Sequence, residues 1–330
     1  MSKKTVLVCG GGGFIGGHLV ARLREEGRQI RSVDLKPVDQ WYQAFDDVEN
    51  VVANLKHREA CQAACEGVAD VYNLAADMGG MGFIESNKAN CMLSVLINTH
   101  LLLAALEAKV ERFFYSSSAC AYRRDKQDCE DVTPLKEEDA YPAMPEDGYG
   151  WEKLFSERMC RHFREDFGLR TRVARFHNVY GPYGTWEGGR EKAPAAICRK
   201  VIHAKQTGAK EIEIWGDGKQ TRSFMYVDDC VHGIRAIMDS NILEPINLGS
   251  DELVTINGLV DMVEEIAGVQ LKHHHNLSAP KGVNGRNSDN TKIKEYLGWA
   301  PSIRLRDGMA KTYEWIYDEY MKKYAQSQPA

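Results

Sequence analysis

The sequence predicts an α/β protein, a mainly parallel sheet covered by helices on both faces with a smaller C-terminal lobe attached. Three observations predict it. Short apolar runs alternate with helix-length segments through the first half, a glycine-rich turn joins the first run to the first helical pattern, and beyond Phe176 the chain becomes aromatic and turn-rich. A βαβα rhythm implies crossover connections, and crossovers join parallel strands.

In chain order, the candidate strands are residues 5–9, 29–34, 50–52, 70–74, 112–116 and 171–175. Helical patterns cover 15–26, 57–65, 90–108 and 149–167 between them. The patterns at 90–108 and 149–167 suit either a helix-pair contact in a homodimer or plain cover for the sheet. Further on, a helix is expected over 194–206 and a strand over 211–215, closed by the Gly216-Asp217-Gly218 turn. A helix over 226–239, a strand over 245–249, and helices over 256–267 and 305–323 complete the pattern. On this reading residues 1–176 form the main nucleotide domain, with 225–250 returning to it. Residues 177–224 and 251–322 form the second lobe, and 323–330 a polar tail. His273-His274-His275 is assigned to an exposed loop or edge, because adjacent residues of an extended chain point to alternate sides and no carboxylate partner is evident. No metal is expected.

A chain of 330 residues, 43% hydrophobic and 27% charged, can bury a sizeable core. A formal charge of −5 argues against nucleic acid as partner but leaves room for a local cationic cluster around a small anion. Nine cysteines without a CxxC pair read as free thiols in a reducing compartment, so a cytoplasmic protein is expected. Cys61 and Cys65, one helical turn apart and without further ligands, read as buried small residues. No run of 18 consecutive apolar residues is seen, so no membrane span is expected.

The first strand runs into Gly10-Gly11-Gly12-Gly13-Phe14-Ile15-Gly16, whose Gly10, Gly13 and Gly16 give the spacing GxxGxxG. Such a turn lets backbone N–H groups and a helix N-terminus approach a pyrophosphate. The second strand ends in Asp34, placed to accept hydrogen bonds from a ribose and to repel the extra phosphate of NADP, which favours NAD. Lys36 and Arg31, close by in sequence, pull the other way. Ser116-Ser117-Ser118-Ala119-Cys120 follows an apolar strand, where sheet enzymes place reacting groups, and Tyr149 and Lys153 share one helical face. A nearby ammonium would lower the phenol's pKa, and with Ser118 polarising the same oxygen the set can remove a hydroxyl proton as hydride leaves carbon.

In this order, glycine turn, ribose acid, serine strand end and YxxxK resemble the extended short-chain dehydrogenase/reductase family, which implies a Rossmann sheet, a smaller substrate lobe and usually a dimer. Within it the chain is similar, from Val6 to about Trp315, to the branch that epimerises GDP-mannose at C3 and C5. The narrow signals are the run 73–83 with its Met78-Gly79-Gly80-Met81-Gly82 loop, Ser117-Ser118-Ala119-Cys120, and Gly188-Gly189-Arg190-Glu191-Lys192-Ala193-Pro194. The runs 215–224 and 285–290 add to them. The resemblance implies Ser118, Tyr149 and Lys153 as the hydride-transfer set and Cys120 and Lys192 as an acid/base pair. NAD would lie against Gly10, Gly13, Phe14, Ile15, Gly16, Asp34, Asn54, Leu55, Leu74, Ala75, Ala76, Tyr149 and Lys153. The nucleotide sugar would meet Met78, Gly79, Ser118, Asn178, Glu191, Lys192, Lys200, Trp215, Gln220, Arg222 and Arg286. Asn178, Lys200 and Arg222 fall at phosphate positions and Arg286 at a sugar position. Departures are Ala121 and Arg123-Arg124 after the cysteine, which bear on the rim of the sugar pocket, and Asn54 where an aspartate is common, which bears on cofactor affinity.

The chemistry implied follows from carbon acidity. Oxidising C4 to a ketone lets the C3 and C5 protons leave as an enolate forms, and epimerisation needs groups on both faces, here Cys120 and Lys192. The rivals on the same scaffold are a nucleotide-sugar 4-epimerase, a 4,6-dehydratase, or a silent NAD-binding sensor. The dehydratases carry Asp-Glu where this chain has Ala119-Cys120, and the intact Ser118-Tyr149-Lys153 set counts against a sensor.

Overall fold

The computed structural model describes residues 4–324, so the expected tail lies largely outside the described residues. The first half contains β1 (Thr5–Cys9), α1 (Phe14–Glu25), β2 (Gln29–Asp34), β3 (Glu49–Val52), α2 (Arg58–Cys65) and β4 (Val68–Asn73). It continues through α3 (Met81–Ser86), α4 (Lys88–Met92), α5 (Ser94–Glu107), β5 (Arg112–Ser118), α6 (Tyr149–Phe167) and β6 (Arg170–Phe176). The second half contains β7 (Val179–Tyr180), α7 (Ala193–Thr207), β8 (Glu211–Trp215), β9 (Thr221–Ser223), β10 (Met225–Tyr226) and α8 (Val227–Asp239). Then come β11 (Ile246–Leu248), β12 (Leu253–Thr255), α9 (Ile256–Ala267), β13 (Lys272–Asn276), β14 (Gly285–Arg286), α10 (Thr291–Leu297) and α11 (Leu305–Tyr324).

Seven strands form one Rossmann-type sheet in the order β3-β2-β1-β4-β5-β6-β11, parallel at every pairing. The order reverses between β1 and β4, which opens a crevice at the carboxyl ends of those strands. Both faces are buried, and β1 shows why its residues form a central strand. Val6 and Val8 join the core shared with α1, α8 and the second lobe, whereas Leu7 and Cys9 join the core under α2, α5 and α6. The first core runs without a break into α7, α9 and α11. Shared apolar packing therefore fixes the second lobe against the rim of the crevice.

Two sequence expectations need correction. The pattern over 90–108 is two helices, α4 and α5, meeting at Leu93. Together with their flanks they span Lys88–Glu107, which by length and composition is apolar enough to cross a membrane. Interleaved Ser, Thr, Asn and His residues hid this from a search for an unbroken apolar run. In the fold this stretch packs against α2 and α6. The histidine triplet forms β13, an edge strand paired with β8, and its assumed lack of carboxylate partners does not hold. His273 Nε2 lies 2.9 Å from Glu264 on α9, and the ligand atoms of Asp261, Glu264 and His273 lie within 4.8 Å of one another. The partners come from a helix that packing, not sequence proximity, brings alongside. Cys61 and Cys65 are buried, and burial pushes both thiols up to about 12.

Candidate active site

The crevice holds a cavity of about 670 Å³, within the usual range for a small-molecule site. Its floor is the glycine turn. Gly10 has a φ of +81°, and a Cβ at Gly16 would overlap the Gly10 carbonyl oxygen, so the turn closes only without side chains. Gly13 caps α1 and no side chain hydrogen-bonds to this helix start, which leaves it shaped for a phosphate group. Asp34 lies at the end of β2, with one carboxylate oxygen accepting the Lys36 N–H at 3.0 Å. Arg31 turns away to the carbonyls of Ala63, Ala64 and Glu66. Lys36 remains at the cavity and donates its Nζ to the Gly12 carbonyl at 2.5 Å. All thirteen residues read as cofactor contacts line this one cavity. The cradle fits NAD.

The reacting end is built where β5 stops. Ser118 caps a short turn by accepting the Cys120 N–H at 3.2 Å, so serine and cysteine leave the strand together. Tyr149 opens α6, and Gly150 lets the helix press on the Cys120 carbonyl, where a Cβ would clash. Lys153 Nζ lies 5.4 Å from the Tyr149 ring centroid, donates to the Ser116 carbonyl at 2.9 Å and sits 3.7 Å from Glu152. The ammonium was expected to lower the phenol. Instead burial holds Tyr149 well above its ordinary range, with Cys120 and Glu152 adding to the rise and a hydrogen bond with Ser118 opposing it. The protein groups alone keep Tyr149 protonated.

Lys192 is the N-cap of α7 and faces the cavity. Burial lowers its pKa, which suits a proton acceptor, while the nearby Cys120 and Cys230 act the other way. Met78, Gly79, Asn178 and Arg286 line the same space, and Arg190, which the sequence reading left out, joins them. Arg190 ties the two walls together. Its carbonyl accepts the Gly80 N–H, its guanidinium donates to Asp77 at 2.8 Å, and it stacks 3.8 Å from the centre of the Phe83 ring. Its position next to Glu191-Lys192 was the signal available in sequence.

Cys120 itself lies buried just beyond the cavity lining. Glu191, Lys200, Trp215, Gln220 and Arg222 also fall outside it. Lys200 donates to the Glu213 carbonyl at 2.7 Å beside the Trp215 ring, and Gly82 of the methionine-glycine loop packs close to that indole. Glu191 pairs with Arg199 at 3.0 Å. Gln220 donates to the Trp215 carbonyl at 2.9 Å, and its buried Oε1 has no partner. Arg222 is buried on the carbonyls of Thr221, Lys281 and Val283, and burial pulls it down to about 10.

Residues 6–249 match the family described as the NAD dependent epimerase/dehydratase family. The chain belongs to this family. Among its members, the chain is 47% identical to GDP-mannose 3,5-epimerase 1 of Oryza sativa subsp. japonica, over 98% of this chain and 84% of that protein. It is 46% identical to GDP-mannose 3,5-epimerase of Arabidopsis thaliana, over 97% and 84% respectively. Among solved structures, UDP-glucose 4-epimerase of Thermotoga maritima, bound to UDP-glucose, superposes with a TM-score of 0.84 at 26% identity, covering 96% of this chain and 99% of that one. The seven-stranded sheet and glycine cradle are thus those of an NAD-dependent epimerase.

Proposed function

We propose that the chain is a GDP-mannose 3,5-epimerase, converting GDP-α-D-mannose to GDP-β-L-galactose, and to GDP-L-gulose when C5 alone inverts. The observation that carries this reading is that Lys192 lines the cavity with Ser118, Tyr149 and Lys153, while Cys120 packs against Tyr149 just behind that lining. A 4-epimerase needs the last three alone. NAD, when bound, supplies reversible hydride acceptance at C4, so the reaction has no net redox change. Lys153 would hold the nicotinamide ribose, and Ser118 and Tyr149 bind the C4 oxygen and manage its proton. Lys192, with its lowered pKa, and Cys120 exchange protons at the neighbouring carbons. Incubation with GDP-mannose and NMR of the product tests this: galactose- and gulose-configured sugars are expected, and a C4 epimer or a 4-keto-6-deoxy sugar overturns it.

The chain is further read as a homodimer through residues 90–108, which cover the end of α4 and α5, and through α6. Met92, Leu93, Leu96, Trp151 and Phe155 on these segments are exposed apolar side chains, with Phe155 51% and Met92 47% exposed. Free cysteines throughout suit a cytoplasmic setting, which cell fractionation would test.

A further inference from the structure

Arg286 is 5% exposed and bonded along its whole guanidinium edge. Nε donates to Gln127 Oε1 at 2.7 Å, Nη2 donates to the Glu146 carboxylate, and Nη1 points at Cys120 Sγ from 3.6 Å. Glu146 is also buried, and its backbone N–H donates to the Cys120 carbonyl at 3.0 Å. The peptide carrying Glu146 is therefore fastened to the peptide carrying Cys120, and their side chains meet again through Arg286.

The charges facing Cys120 are unbalanced without Glu146. Lys192 approaches from the start of α7, Arg222 from β9 and Arg286 from β14, each a cation. Tyr149 on α6 and Cys91 on α4 face it as neutral weak acids; behind them Glu152 acts on both, and Asp77 and the cation Arg190 act in opposite senses on Cys91. Positive charge beside a sulfur bears on how readily it exchanges a proton. A carboxylate on Arg286 cancels one of the three charges and keeps the guanidinium in place.

We infer that Glu146 is a positioning residue for Cys120, acting through Arg286: it locks the guanidinium against the sulfur and, by cancelling its charge, keeps the thiol able to give its proton back. This rests on the acid/base role proposed for Cys120, but its test reads the thiol directly, whatever reaction the site performs. The NAD-loaded protein is treated with iodoacetamide across a pH series, and alkylation is read by mass spectrometry on tryptic peptide 113–123, whose single cysteine is Cys120. Glu146→Gln keeps a hydrogen-bond acceptor for Arg286 but loses the charge. Its alkylation midpoint should move down by roughly one pH unit, raising the rate about tenfold below the midpoint. Gln127→Glu puts a second carboxylate on the guanidinium and should move the midpoint up. Combining the two relocates the charge across Arg286 and should restore the wild-type profile. A purely packing role would lower the melting temperature without these opposed shifts. Midpoints unmoved in both single variants overturn the inference, and if Glu146→Gln does not fold, an unmoved Gln127→Glu midpoint does so alone. Opposed shifts in a protein that does not epimerise GDP-mannose would sustain the role of Glu146 and overturn the proposed function instead.

Discussion

Tyr149 and Cys120 occupy one site but are held by different elements, so their removal should separate two stages of the reaction. With GDP-mannose in D₂O, Cys120→Ala should still reduce bound NAD, seen as reduced-nicotinamide absorbance, while failing to form product. Solvent deuterium should fall sharply at the ring carbon served by the thiol. Tyr149→Phe should give little reduced cofactor and little exchange at either carbon, because the ketone that acidifies both would rarely form. A folded Cys120→Ala protein that epimerises both centres would remove the cysteine from the mechanism. Arg222 teaches a different lesson at this scale. Its place in the sequence fits a phosphate contact, but its guanidinium is spent on three backbone carbonyls. Arg222→Ala should thus cost roughly 1.5–3 kcal/mol of folding stability, read by urea denaturation, because it leaves buried acceptors unpaired. Sequence spacing places the Cα of such a residue; which acceptors its long side chain reaches depends on loops brought close by folding, here residues 281–283.

Elements with a strong local pattern were readable almost to the residue. Helix α6 begins and ends where its apolar face and Gly168 cap require, and the boundaries of β1, β2, β8 and α9 follow the alternation of their own residues. Strands such as β7, β9, β10 and β14 were not readable, because two or three residues carry no period and pair only with distant partners. One such long-range junction, between the end of β6 and β11, has a measurable pH signature. His177 is buried with Nε2 3.0 Å from Asn247 Oδ1, and burial pulls its pKa from 6.5 down to about 4. The folded protein keeps this ring neutral where the unfolded chain would protonate it. Stability should therefore decline as pH falls from about 6.5 towards 4, and this group alone should contribute about 2 kcal/mol of loss between pH 7 and 5. Urea unfolding at both pH values, compared with His177→Gln, checks it: the variant should show a smaller difference by about that amount.

Across the whole molecule, the parallel sheet, the crevice and the cofactor cradle followed from the βαβ rhythm and the glycine turn. The wall pairing by Arg190 and the buried ring of charges around Cys120 did not, since they join segments more than a hundred residues apart. The α5–α6 face gives a prediction at this scale. Phe155→Glu should convert a dimer to a monomer in sedimentation analysis, because a charge in the centre of an apolar contact loses its solvation without gaining a partner. A monomeric wild-type protein would remove that interface. Purified protein should also release NAD on denaturation, detectable by chromatography, whereas an NADP-bound preparation would overturn the role of Asp34. The sheet's strand order has one more consequence, in the time it takes to make the protein. Strand β6 ends at Phe176, but its neighbour β11 does not begin until Ile246. During synthesis, the chain therefore emerges with a seven-residue strand whose outer edge has no partner until some seventy further residues have left the ribosome, several seconds at ordinary elongation rates. Nascent chains stalled within that interval would present this bare edge to chaperones or to one another.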